Sequence, residues 1–237
     1  MMNKQERDKR KNKPHFSWRS RRQRSIKDIA TSRDLWLGIF MFVIFQLSIM
    51  FLTLSSVSET QSTPFLILSM VLAIGISVFG MFEAKKRQRV AYRQTPARPL
   101  RVLIYIGLIY LGVFAISTLF VVMKWEIPVQ ENQEALTQLM SRYFLPMSFI
   151  TGVVAPITEE LTFREYFPYA FGPSYLSFGL SSLLFTILHT PSGLIGFAMY
   201  GFLSIAFLTI RLKDNNILTS IYVHMGYNLL TVVLSLL

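Results

Sequence analysis

The chain contains no cysteine. That excludes a disulfide framework, a thiolate metal site and a thiol nucleophile. Charge is scarce too: 16% of residues are Asp, Glu, Lys or Arg, against about 25% in a soluble domain. With 52% hydrophobic residues, this composition argues against a soluble enzyme and against a disordered chain. Acid is scarcer than base, 13 Asp and Glu against 24 Lys and Arg in 237 residues, for a net charge of +11. A chain both apolar and basic must keep the two properties apart. The basic residues fall mostly in two blocks, 1–33 and 83–101.

Seven apolar segments occupy much of the rest, at about 35–57, 64–82, 100–123, from 142 through ITEELTFREYF, 174–188, 192–210 and 216–237. A spanning helix takes roughly 20 apolar residues, and five of the seven supply them. The expected fold is all-α, a multi-pass transmembrane bundle of about seven spans. Residues 1–33 would form a basic cytoplasmic tail and 34–237 the transmembrane domain. The tail is too long, and too far from a small-residue cleavage motif, for a signal peptide. Both basic blocks read as cytoplasmic and are separated by two helices. The 58–63 and 124–142 loops read as external, and the RLKDNN turn at 211–216 as cytoplasmic. The implied location is the cell membrane, with the N-terminus inside.

One segment does not fit simple spanning. Before HTPSG (189–193) only about 15 apolar residues are available, roughly 22 Å of helix, short of a ~30 Å hydrocarbon core. A short or broken helix is therefore expected to end at His189, below the membrane surface. Irregular backbone at that depth is tolerated only where protein buries it or water reaches it.

Ionisable groups inside apolar segments are costly and are functional candidates by default. Three clusters qualify: Glu159 and Glu160 with Arg164, Phe185 with His189, and His224 with Asn228. Glu160 and Arg164 are four apart, with the acid N-terminal, the favourable order for a helical ion pair. Glu159 points about 100° away from Glu160. One carboxylate can thus be neutralised while the other, in a low-dielectric cavity, is free for general-base work. His224 and Asn228 share a helix face and can donate to a developing oxyanion. Glu159 and His189 can meet only if the helix before His189 is short, or if the chain kinks at Pro156.

EELTFR, FTILH and HMGYN fit E-E-x-x-x-R, F-x-x-x-H and H-x-x-x-N. In this order and spacing they resemble the three motifs of the CPBP family, the CAAX proteases and bacteriocin-processing enzymes, over residues 140–235. The resemblance implies a glutamate-type intramembrane endopeptidase. Glu159 would activate water with help from His189, and His224 and Asn228 would hold the oxyanion. Glu160 and Arg164 would brace the first motif, and Phe185 would pack beneath His189. No metal is favoured; if zinc is present, Glu159, His189 and His224 are its ligands by type, though no HExxH spacing accompanies them.

Other functions fit parts of the pattern. One is a non-catalytic bacteriocin immunity factor or sensor-kinase scaffold. Another is a proton-coupled transporter, against which the lack of repeated halves counts. The partners expected are a peptide or protein substrate at the membrane, and anionic lipids for the basic tail. No nucleic acid is expected.

Overall fold

The computed structural model describes residues 25–58, 60–87 and 99–236. Most of the predicted tail and of the second basic block lies outside these. Within residues 25–33, Ser25 and Asp28 form a capping box that starts α1 (Ile26–Ala30), and α2 begins at Arg33.

Three long apolar helices come first: α2 (Arg33–Val57), α3 (Ser62–Lys86) and α4 (Pro99–Val122). α2 and α3 pack together, and their charged ends are tied by Arg87 to Asp34 at 2.6 Å and by Arg33 to Glu83 at 3.2 Å. α4 shows what the apolar composition is for. It buries Ile106, Ile109 and Phe120 but exposes Leu103, Leu108, Leu111 and Phe114. A helix apolar on its outer face has lipid as its solvent. The molecule is an all-α, multi-pass membrane bundle.

The 124–142 stretch is not simply a loop. It holds α5 (Glu131–Arg142), which carries Glu131 and Glu134 in its first turn and Arg142 in its last, the arrangement that suits the helix dipole. Its apolar residues Leu136, Leu139 and Met140 pack into the core. Hydropathy alone passes over so polar a helix.

A continuous rod follows, made of α6 (Phe144–Phe149), π1 (Ile150–Val154), α7 (Ala155–Glu160), π2 (Leu161–Tyr166) and α8 (Phe167–Phe171). The junction residues Ile150, Ala155, Leu161 and Phe167 are all right-handed helical. In place of a simple kink at Pro156, the helix widens ahead of the proline. Proline lacks an N–H and clashes with the carbonyl four residues back, and a π turn of i→i+5 register relieves both problems. Pro168 follows π2 in the same way. The rod ends at Gly172, whose φ of +89° an L side chain rarely adopts.

α9 (Tyr175–Leu188) is started by a Ser174–Ser177 capping box and stops at His189. It is the short helix expected there. Thr190 at φ +45° and Gly193 at φ +70° then turn the chain into α10 (Gly193–Asp214). α10 continues through Arg211, so the expected 211–216 turn shrinks to Asn215 and Asn216. Asn215 is left-handed, and the Asn216 side chain caps α11 (Ile217–Leu234) by accepting from the Leu218 N–H at 3.0 Å. Five helices, α2, α3, α4, α10 and α11, are long and apolar enough to span a membrane. The rod and α9 make up the other two segments.

Candidate active site

α7 lies between the two π turns and presents both acids. Glu160 is fully buried. Its Oε1 faces His224 Nδ1 at 3.0 Å, and its Oε2 accepts from the Ser220 hydroxyl at 2.5 Å. Arg164 Nε lies 3.6 Å from the same Oε2. A carboxylate only accepts, so His224 Nδ1 is the donor. The other nitrogen of that ring, Nε2, lies 3.8 Å from Glu159 Oε2.

His189 reaches the same acid from α9. Its Nδ1 is 2.7 Å from the Phe185 carbonyl, which also only accepts, so Nδ1 carries the proton there. Nε2 faces Glu159 Oε2 at 4.0 Å. Both imidazoles rest on aromatic rings. His189 tilts over Phe185 at 4.2 Å, and His224 stacks on Phe207 at 4.1 Å with 18° between the planes. Beneath Phe185 lies the Arg164 guanidinium, 4.4 Å from the ring centre. Arg164 also donates to the Ser204 carbonyl at 3.2 Å, which ties the rod to α10.

Asn228, one helical turn beyond His224 on α11, donates Nδ2–H to the Thr151 carbonyl of π1 at 2.9 Å. Glu159, His189, His224 and Asn228 line one cavity of about 390 Å³, with Phe185 in its wall. Gln46, Gln130, Gln133, Thr151 and Tyr200 add uncharged polar groups to the lining. Glu160 and Arg164 sit behind this wall. α5 contributes Gln133, Leu136 and Met140 to the cavity. Gln130, just before α5, clasps the loop after His189 through two bonds to Ser192, with the Ser192 N–H donating at 3.0 Å and Gln130 Nε2 donating to the Ser192 carbonyl at 2.9 Å. Among the described residues, no group of three or more His, Asp or Glu is placed to hold a metal ion.

Several of these groups escape a motif reading. Ser220 had a signal, since it stands four residues before His224 as Asn228 stands four after, all on one face of α11. Phe207, Ser204 and Thr151 had none, because their roles depend on how separate helices pack. Arg211 reads as a topology marker, yet it is buried and pairs with the buried Glu165 of π2, Nε to Oε1 at 2.5 Å.

Residues 141–230, which contain every group named in the three motifs, match the family described as type II CAAX prenyl endopeptidase Rce1-like. This is the stretch on which the motifs gave the CPBP resemblance. The relatives are from Lactococcus lactis subsp. lactis (strain IL1403). UPF0177 protein YbdI is 40% identical over 93 residues, 38% of this chain and 51% of that protein. UPF0177 protein YvdC is 23% identical over 212 residues, 87% of this chain and 79% of that protein. UPF0177 protein YxdF is 34% identical over 89 residues, 36% and 48% of the two chains. The matched region thus spans about half the length of YbdI and of YxdF. No solved structure matches the chain. The matched segment holds the rod, α9, α10 and most of α11, and α2 to α4 pack against it.

Proposed function

We propose that this protein is an intramembrane endopeptidase that hydrolyses a peptide bond with a water activated by Glu159. The observation that supports the reading is the meeting of Glu159 with two imidazole Nε2 atoms and the Asn228 amide on one cavity. The separation of 4.0 Å between Glu159 and His189 is too long for a direct hydrogen bond, and one water can bridge it. That water donates one hydrogen to Glu159 and the other to His189 Nε2, and its oxygen attacks the peptide carbonyl. Glu159 takes the proton as general base and passes it to the departing amine.

The negative oxygen formed on the carbonyl carbon needs donors. Asn228 has one N–H committed to Thr151 and a second one free. His224 donates from Nε2 in its protonated form, and Glu160 behind Nδ1 orients the ring and offsets its positive charge, as a buried carboxylate does for histidine in a catalytic triad. The scheme needs no metal and no covalent enzyme intermediate. The substrate is a membrane-associated peptide or leader of CAAX or bacteriocin-processing type. The protein sits in the cell membrane with its N-terminus inside and its basic tail on anionic lipid.

The test is cleavage of a pool of internally quenched, uncharged peptides by purified protein in phosphatidylcholine–phosphatidylglycerol vesicles. Wild type should cut, and the new carboxyl group should carry label from H2(18)O. His189→Ala should lose about 100-fold or more of the rate. Wild-type cleavage by His189→Ala would contradict its part in the scheme.

A further inference from the structure

The chain places a proline five residues after each of two backbone carbonyls, Thr151 before Pro156 and Phe163 before Pro168. In both places the helix is in π register. The Ala155 N–H, which would serve the Thr151 carbonyl in an α-helix, is given to Ile150 instead. The next donor in π register would be the N–H of residue 156, and proline has none. The Thr151 carbonyl is thereby stripped of both helical partners. In π2 the Phe167 N–H goes to the Thr162 carbonyl, and Pro168 leaves Phe163 in the same position.

A buried carbonyl must find a donor elsewhere. Both do, from a neighbouring helix. Thr151 accepts from Asn228 Nδ2 of α11 at 2.9 Å, and Phe163 accepts from the Ser181 hydroxyl of α9 at 2.6 Å. The device thus occurs twice in one rod, each time exporting a main-chain acceptor to a helix that carries a site histidine. At Asn228 it does one thing more. A carbonyl can only accept, so it fixes which end of the amide is nitrogen. The second N–H of that nitrogen is then held in a set direction.

We infer that Pro156 is a positioning residue: with π1 it frees the Thr151 carbonyl to orient the Asn228 amide for its role at the oxyanion. This rests on the proposed peptidase reading and extends it to a residue that touches no reacting atom. Supplying an N–H at position 156 returns a donor to Thr151 in competition with Asn228. A proline inside a helix is ordinarily a defect, so the fold is expected to tolerate its removal.

The experiment is Pro156→Ala in the vesicle assay with the same pool of quenched peptides, with thermal melting alongside. The expected result is a melting temperature equal to or above wild type, kcat down roughly tenfold, which is less than the about 10²–10³ lost by deleting an oxyanion donor, and KM within about twofold. In an Asn228→Ala background, Pro156→Ala should cost nothing further, because groups acting as a unit are not additive. Pro168→Ala, which returns a donor to Phe163 instead, should add its effect in full in that background. Pro156→Ala with wild-type kcat overturns the inference, as does a full additional loss in the Asn228→Ala background. Failure of Pro156→Ala to fold overturns it too, since the proline would then serve the fold. A wild-type rate in Asn228→Ala would instead contradict the peptidase scheme, so the two failures are distinguishable.

Discussion

Arg164 is buried on every side and meets Glu160, the Ser204 carbonyl and the face of Phe185. A buried ion pair adds little over an apolar replacement, but removing one partner strands the other charge. Arg164→Ala is therefore expected to cost about 3–5 kcal/mol of stability, read by denaturant unfolding in mild detergent, and to lower activity by loosening Glu160. Ser220→Ala removes a hydrogen bond to an ionised carboxylate, worth roughly 1.5–3 kcal/mol. It should slow cleavage while leaving KM near wild type, because it acts on Glu160 and, through it, on His224. Near-wild-type stability in Arg164→Ala would contradict the burial argument. The i,i+4 spacings made Glu160–Arg164 and His224–Asn228 legible in the sequence, because such pairs share a helix face whatever the tertiary fold. The Glu160–His224 bond and the Glu165–Arg211 pair join different helices, and no spacing announces them.

At the scale of elements, the site depends on where α9 stops. α9 is about 21 Å long at 1.5 Å per residue, and the turn after it passes through Thr190, a β-branched residue at positive φ. Such a conformation persists only where its surroundings hold it. The Gln130 clasp on Ser192 is one such restraint, and it ties the loop to the start of α5. Gln130→Ala is expected to lower kcat by roughly tenfold and to cost about 1–3 kcal/mol through the groups left unpaired at Ser192. Hydrogen exchange at residues 189–193 should rise in the same variant; an unchanged exchange rate would show that the clasp does not hold the loop. The short helix and the break at His189 could be read from length and from Pro191 and Gly193. α5 could not, since a polar helix that covers a cavity looks like a loop to a hydropathy argument. The π turns were legible only as prolines: the sequence marks the defect and not its repair.

Over the whole molecule, the charges sort the two ends of the bundle. Arg87–Asp34 and Arg101–Asp214 gather at one end. Arg142, bonded to the Ser56 carbonyl, and the Gln130–Ser192 clasp lie at the other. The proposed orientation, with the basic blocks inside, makes the first end the cytoplasmic one. The absence of cysteine makes this directly testable. Thr60→Cys should react with an impermeant maleimide from outside the cell, and Lys213→Cys only after the membrane is opened. The reverse pattern would invert the topology. The apolar spans were legible because lipid demands them, whereas their arrangement around the cavity was not. A metal-free scheme also predicts that cleavage in vesicles survives a strong chelator, and loss of cleavage restored by zinc would replace it with metal chemistry.

The proposed role of Glu159 as the base that activates water rests on the placement of one carboxylate between two imidazoles. The direct measurement is cleavage of the quenched peptide pool by Glu159→Gln beside wild type in the same vesicles, with melting temperatures compared. Glutamine keeps the size of the side chain and removes its basicity. The expected result is an unchanged melting temperature and a rate at least about 100-fold lower; a folded Glu159→Gln protein that cuts at the wild-type rate would contradict that role.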